Sequence, residues 1–110
     1  MSSTTNKKLK RMATIKRFEE LEIWQLARVF SNEIYKITKY PKFSKDFELI
    51  GQIRRSSGSV MDNIAEGFGR GGNKEFSMFL SISEGSANET QSQLYRVLDQ
   101  EYISEGEFNQ

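Results

Sequence analysis

Apolar residues recur at alternating intervals of four and three along three separate stretches of this chain. Such intervals return to the same face of an α-helix, so each stretch predicts one helix with an apolar stripe. The first predicted helix spans 18–38, because Pro41, the only proline, stops it near Lys39. Its stripe consists of Ile23, Ala27, Phe30, Ile34 and Ile37, widened by Leu26 and Val29.

Two further helices are predicted at about 44–68 and 74–100, with Ser44 and Asn73 as their expected N-caps. The glycine-rich run 67–72 separates them and is typical of a helix–helix turn. The small residues Ser56-Ser57-Gly58-Ser59 and Gly85-Ser86-Ala87 make both helices slim near mid-height, where the two would face each other and their backbones could approach closely. A glycine inside a helix costs about 1 kcal/mol relative to alanine, so we expect a close crossing or a local kink there.

Short connections between helices of similar length favour an up-down antiparallel arrangement. Ser104 and Glu107 form a capping-box pattern that predicts a fourth helix, which the chain barely begins. The predicted fold is therefore an all-α, up-down antiparallel bundle of the four-helix type, with its fourth helix truncated. Residues 1–17 are expected to form a flexible basic tail and residues 18–110 the bundle domain. A missing fourth helix would leave an apolar edge uncovered, which favours association.

Histidine and cysteine are both absent, and their absence removes most catalytic chemistry. The chain has no imidazole base, no thiol nucleophile and no nitrogen or sulfur ligand for zinc. Di-iron bundles use a Glu-x-x-His motif, which this sequence cannot contain. We therefore expect no enzyme activity, no cofactor and no metal, although carboxylate-only chemistry stays formally open. No apolar run is long enough for a membrane span and no secretory signal is visible, so the expected location is cytoplasmic.

The net charge is +1, but the charged residues are distributed unevenly along the chain. Residues 1–17 carry six bases and no acid, whereas the remaining chain has more acids than bases. In an up-down bundle this tail meets the end of the second helix, which makes one end basic. The residues predicted to contact RNA or DNA are Lys7, Lys8, Lys10, Arg11, Lys16, Arg17, Arg70 and Lys74. The alternative is a solubilising tail, because no aromatic residue is interleaved for base stacking.

A second set of candidates concerns contacts between subunits. Most aromatic residues, Phe47 included, follow the helical spacing and are expected in the core, but Trp24 and Tyr35 fall off the main stripe. We therefore predict that these two contact another subunit. The adjacent Arg54 and Arg55 favour either a ligand or subunit contact, or ion pairs that fix the register of helices or subunits. Their candidate acidic partners include Glu66 and Glu89.

Several short segments in combination resemble one known family. They are Phe18-Glu19-Glu20-Leu21, Trp24-Gln25, Gln52-Ile53-Arg54-Arg55, Asn63-Ile64-Ala65-Glu66-Gly67-Phe68 and Gly85-Ser86. Through them the chain, over about 18–103, is similar to bacterial four-helix bundle proteins linked to intervening sequences of large-subunit ribosomal RNA. The resemblance implies a left-handed antiparallel bundle that often assembles as a ring of five. It also implies kinship with the accessory variability determinant of diversity-generating retroelements, a bundle that binds a reverse transcriptase and nucleic acid.

Two functions follow as expectations. The first is a non-enzymatic, self-associating bundle, a homo-oligomer and by resemblance a pentamer, that serves as a protein-interaction or assembly module. The alternative is a nucleic-acid-binding accessory protein, associated with rRNA or a reverse transcriptase, that uses its basic N-terminal end. The acidic body weakens this alternative, since the retroelement proteins are strongly basic.

Overall fold

The computed structural model describes residues 14–109, and within that range it contains helices and turns but no strand. Four α-helices follow one another: α1 (Glu22–Thr38), α2 (Phe47–Gly69), α3 (Asn73–Asp99) and α4 (Glu105–Phe108). Short 3-10 turns at Phe18–Glu20 and Phe43–Lys45 precede α1 and α2. The prediction of an all-α bundle is confirmed. None of the described helices is both long and apolar enough to cross a bilayer.

The long helix α2 lies between α1 and α3 and packs against both. Thr38, at the end of α1, contacts Arg54 on α2, and Ser56 on α2 contacts Gln93 near the end of α3. Each neighbouring pair of helices is therefore antiparallel. By contrast, α1 and α3 hardly approach each other, so an edge lies open between them.

Two apolar clusters hold the three helices together. One is centred on Phe43, Ile53 and Val97, all fully buried, and lies at the end of the bundle where α1 meets α2. The other, at the opposite end, contains the buried side chains of Leu21, Ala27, Val60 and Ile64. Between them, at mid-height, the interface of α2 and α3 is made of small polar side chains that bond across the two helices.

Both predicted N-caps are wrong by one or two residues. Asp46, rather than Ser44, caps α2 and accepts a 3.1 Å hydrogen bond from the Leu49 N–H. Ser44 instead lies in the preceding 3-10 turn, because Phe43 must turn inward to reach its fully buried position. At α3 the cap is Gly72, and the predicted cap Asn73 is the first helical residue.

The predicted close approach of α2 and α3 through small residues at mid-height is confirmed for the serines, since the Ser86 hydroxyl donates to the Ser59 hydroxyl at 2.9 Å. The glycines of the same segments, Gly58 and Gly85, take no part in it. A Cβ atom added at either position would meet nothing within 4 Å, so both glycines face away from the interface. The close approach lies at Gly67, where an added Cβ would be 2.5 Å from the Cβ of Phe79. Serines, not glycines, let α2 and α3 approach at mid-height.

The predicted stripe on α1 is only partly buried. Ala27 and Ile34 are buried, but Ile23, Leu26 and Val29 are 44%, 69% and 58% exposed. These three side chains lie along the edge between α1 and α3, and no described residue covers them there. Phe47, expected in the core, is 82% exposed because it lies on the outer side of α2.

The predicted capping box of α4 is confirmed. The Ser104 hydroxyl accepts from the Glu107 N–H at 3.1 Å, and the Glu107 carboxylate accepts from the Ser104 N–H at 2.9 Å. The helix is one turn long and places Phe108 against Tyr95, with ring centroids 4.8 Å apart. It thereby covers one end of the edge between α1 and α3.

Candidate interaction surfaces

The interface of α2 and α3 is a continuous polar seam. The Ser56 hydroxyl donates to the Gln93 carbonyl oxygen at 2.6 Å and accepts from the Thr90 hydroxyl at 2.8 Å. The Ser83 hydroxyl donates to the Val60 carbonyl at 2.7 Å. Among the described residues, no buried side-chain polar atom lacks a partner. This seam fixes the register of two helices and offers no free group for chemistry.

Arg54 and Tyr35, two of the predicted candidates, lie together where α1 meets α2. The Arg54 guanidinium donates to the Thr38 hydroxyl at 2.6 Å and 3.1 Å and lies 4.2 Å from the centre of the Tyr35 ring. Thr38 donates onward to the Tyr35 carbonyl at 2.7 Å. The cation is thus held by a hydroxyl and an aromatic face, without an ion pair among residues 14–109.

The other predicted register residues do not pair with one another. Arg55 makes no hydrogen bond or ion pair with any described residue, and Glu66 pairs with Arg70 on its own helix at 2.8 Å. Glu89 accepts only a long hydrogen bond, 3.4 Å, from Gln93. Ion pairs of Arg54 or Arg55 within one chain are therefore absent from the described part of the bundle. Pairs between subunits stay a prediction.

Trp24 is half-buried inside its own chain. Phe18 packs edge-on against it with centroids 5.0 Å apart, and the Arg28 guanidinium lies 5.8 Å from the centre of its ring. It belongs to the apolar cluster around Leu21. Its predicted subunit contact is not tested, but the exposed part of this ring is limited by these intramolecular neighbours.

The predicted basic end is only partly described. Lys7, Lys8, Lys10 and Arg11 lie outside the described residues. Of the other predicted contacts, Arg17 pairs with Glu19 and Arg70 with Glu66, which leaves Lys16 and Lys74 exposed and without an ion pair. The Glu19 pKa is lowered, first by a backbone hydrogen bond and then by Arg17. Phe18 and Arg70 line one shallow groove, so the start of the bundle and the end of α2 meet as predicted.

The opposite end carries an open concavity of about 840 Å3. Its walls include Tyr40, Tyr102 and four acids, Asp99, Glu101, Glu105 and Glu107. Among the described residues no lysine forms an ion pair with these acids, and Lys36 at the end of α1 pairs instead with Glu33. Backbone donation by Ser104, followed by the Tyr40 hydroxyl, lowers the Glu107 pKa. No group of three acids in the described range could hold a metal ion.

The edge between α1 and α3 leaves several apolar side chains uncovered by the described chain. Ile23, Leu26 and Val29 are exposed on α1, and Phe30 beside them is half-buried. Across the gap, α3 contributes further half-buried apolar side chains, Leu80, Ala87 and Leu94. We define these seven residues as the open edge. Sequence reasoning identified an uncovered edge but not the outward position of its α1 members.

Sequence reasoning also missed the outer face of α2. Phe47 projects there, and Arg55 and Asp62 have no partner on it among residues 14–109. The available signal was a second set of positions with intervals of four and three, running from Gly51 to Gly69. It escaped notice because its members are small or charged rather than apolar.

One comparison with known proteins gives a match. A family model described as 23S rRNA-intervening sequence protein matches residues 19–110. No curated protein and no solved structure matches. The matched region contains all four described helices. The kinship with retroelement accessory proteins stays a prediction.

Proposed function

The chain belongs to the 23S rRNA-intervening sequence protein family, and we propose that it is a non-enzymatic module that works by self-association. The absence of histidine and cysteine supports the non-enzymatic part, because the usual bases, nucleophiles and soft metal ligands are missing. The polar seam supports it too. Its buried hydroxyls and amides are engaged with each other, so none is free to act on a substrate.

The open edge carries the proposal of self-association. Soluble monomers rarely expose large contiguous apolar patches, and where such a patch is exposed it usually marks an interaction site. Burying one aliphatic side chain contributes about 1.5–3 kcal/mol, so Ile23, Leu26 and Val29 together favour a second helix strongly. The helix-in-groove geometry suits the space that lies between α1 and α3.

A second copy of the chain is the proposed occupant. Each copy presents the same apolar edge along α1, so two edges cover each other without a further component. Leu26, the most exposed of the three at 69%, is central in this contact. A contact in which the open edge of one copy meets the same edge of another is two-fold and joins two copies, whereas a ring of five requires the edge to meet a different surface of the next copy.

A charge placed on the open edge tests this proposal. The variant Leu26→Glu should shift the mass measured by light scattering toward that of a smaller species, because a buried unpaired carboxylate is strongly disfavoured. Asn32→Glu is the matched control, since Asn32 is exposed on the other side of the same helix. Circular dichroism should show equal helicity for both. An unchanged mass for Leu26→Glu would refute the role of the edge.

Nucleic-acid binding is the second candidate, and two exposed cations favour it. Lys16 and Lys74 lie at one end of the bundle without an ion pair among the described residues. Retention of RNA that weakens steeply with salt would support it, because binding to phosphates releases counterions. Two variants test this end of the bundle: the double substitution Lys16→Glu with Lys74→Glu, and the deletion of residues 1–17. If both variants still retain RNA as the parent does, this end has no role in binding.

A further inference from the structure

The two ends of the outer face of α2 differ in shape. At its start, the Phe47 side chain projects into solvent and is 82% exposed, the most exposed large apolar side chain among residues 14–109. At its other end, a shallow groove of about 400 Å3 is lined by Phe18, Ala65 and Gly69 together with the charged side chains of Asp62, Glu66 and Arg70. The Phe47 ring cannot reach the groove of its own chain, since 22 residues of helix span about 33 Å.

The residues between these ends form one narrow face. Gly51, Arg55, Gly58, Asp62, Ala65 and Gly69 follow one another at intervals of four and three, the spacing at which one helix packs along another. The 3-10 turn at Phe18–Glu20 contacts α2, and Phe18 borders the groove at Ala65 and Gly69, but no other described element lies on this face. A Cβ atom added at Gly58 or Gly69 would meet nothing within 4 Å, so the packing among residues 14–109 gives no reason for glycine there.

Charge on this face is self-complementary. Arg55 and Asp62 are exposed, and neither has a hydrogen bond or ion pair with another described residue. They lie three residues before and four residues after Gly58. When two copies of α2 cross antiparallel at Gly58, each Arg55 faces Asp62 of the other copy. A parallel crossing would place like charges opposite each other and is disfavoured.

The same antiparallel crossing matches the other positions of the face. Gly51 and Ala65 each lie seven residues from Gly58, and Phe47 and Gly69 each lie eleven residues from it. Gly51 then meets Ala65 of the second copy, and the Phe47 ring enters the groove beside Gly69 of the second copy. A projecting ring, a groove and two unpaired charges all agree with one two-fold axis.

We propose that the outer face of α2 is a second, two-fold contact between copies of this chain, with Gly58 at its axis. This contact goes beyond the open edge, because it lies on the far side of the bundle and buries different residues. An isologous contact closes on itself and joins two copies. A chain that uses both surfaces can therefore build assemblies larger than a dimer.

Disulfide trapping tests the axis directly, because the chain contains no cysteine of its own. Two Gly58→Cys copies should bring their Cα atoms within the 4.4–6.8 Å that a disulfide requires. Gly85→Cys is the matched control, since Gly85 is also an outward-facing glycine at mid-helix, on α3. Under mild oxidation at micromolar concentration, Gly58→Cys should form the covalent dimer at least about tenfold faster. Equal rates would overturn the proposal.

A charge swap tests the direction of the crossing. In the Gly58→Cys background, Arg55→Glu should slow trapping severalfold, because the new carboxylate faces Asp62 of the other copy. Adding Asp62→Arg should restore the original rate. Failure of the double variant to recover, while both variants remain helical, would overturn the antiparallel register. Phe47→Ser should also slow trapping, since it leaves the groove empty.

The outcomes separate this contact from the open edge. If Gly58→Cys is trapped no faster than Gly85→Cys while the chain still assembles and Leu26→Glu disrupts it, only the α2 contact is refuted. If trapping at Gly58 is fast but the mass never exceeds a dimer and Leu26→Glu has no effect, the α2 contact stands and the open edge fails.

Discussion

The inner and outer faces of α2 use similar small residues for opposite reasons. On the inner face, Gly67 has no room for a side chain because Phe79 lies against it, and Ser56 bonds directly to α3. On the outer face, Gly58 has open space above it. On the inner face a small residue is required by a close neighbour, whereas on the outer face no residue among 14–109 lies against Gly58.

The largest effect should come from filling the inner face. Gly67→Ala places a Cβ atom 2.5 Å from the Cβ of Phe79, so α2 and α3 must separate locally. Overpacking of this kind typically costs about 1–3 kcal/mol of unfolding free energy. Urea denaturation followed by circular dichroism measures the loss. A variant as stable as the parent would show that Gly67 is not a close contact.

The polar seam gives the next largest effect. Thr90→Val keeps the side-chain shape but removes the hydroxyl that donates to Ser56 at 2.8 Å, where both side chains are buried. Leaving buried partners unsatisfied should lower the unfolding free energy by about 1–3 kcal/mol. Ser92→Ala, on the exposed side of α3, is the control and should change stability by less than about 0.5 kcal/mol. Equal effects of the two changes would contradict the role of the seam.

Replacing an outward-facing glycine by alanine should raise the unfolding free energy instead of lowering it. Gly85→Ala adds a methyl group that meets nothing within 4 Å and removes the backbone entropy of a helical glycine. We expect a gain of about 1 kcal/mol in unfolding free energy. The same urea titration used for Gly67→Ala provides the comparison. Destabilisation by Gly85→Ala would show that this outer face is packed against something in solution.

The smallest effect concerns α4, the short helix that covers one end of the edge between α1 and α3. The Ser104 N–H and the Tyr40 hydroxyl both donate to Glu107, so its pKa in the folded chain is lower than in the unfolded chain. A carboxyl pKa that is lower in the folded chain stabilises the fold at pH values above the ordinary glutamate pKa. This stabilisation is lost as the pH falls through the pKa of Glu107 in the folded chain. Hydrogen exchange at Phe108, corrected for intrinsic rates, should therefore accelerate in acid. Glu107→Gln should abolish this pH dependence, and its persistence would exclude Glu107 as the cause.

The helices and their order follow directly from the sequence, because alternating intervals of four and three require a helix and Pro41 and the glycine-rich run interrupt it. The sequence does not determine how each helix is rotated about its own axis, and hence which of its sides faces the core. Ile23 and Leu26 read as core residues, yet they face outward, since apolar spacing identifies a face without naming the element that covers it. Phe47 was misread for the same reason.

The contacts at the candidate surfaces were the least predictable part. For Arg54 the sequence favoured either a ligand or subunit contact or an ion pair, whereas within the described chain the Thr38 hydroxyl and the Tyr35 ring hold it. Neither partner belongs to a charge pattern, so charge counting along the chain could not reveal them. The capping box of α4 was predictable because Ser104 and Glu107 are three residues apart in one local motif.

The central claim is that this chain works by associating with itself through surfaces that a single copy leaves uncovered. Multi-angle light scattering across a range of protein concentrations tests it most directly. Self-association through both surfaces should give a defined assembly with a mass that is a multiple of the 12.7 kDa of one chain and larger than a dimer. A monodisperse species of 12.7 kDa at every concentration would contradict it.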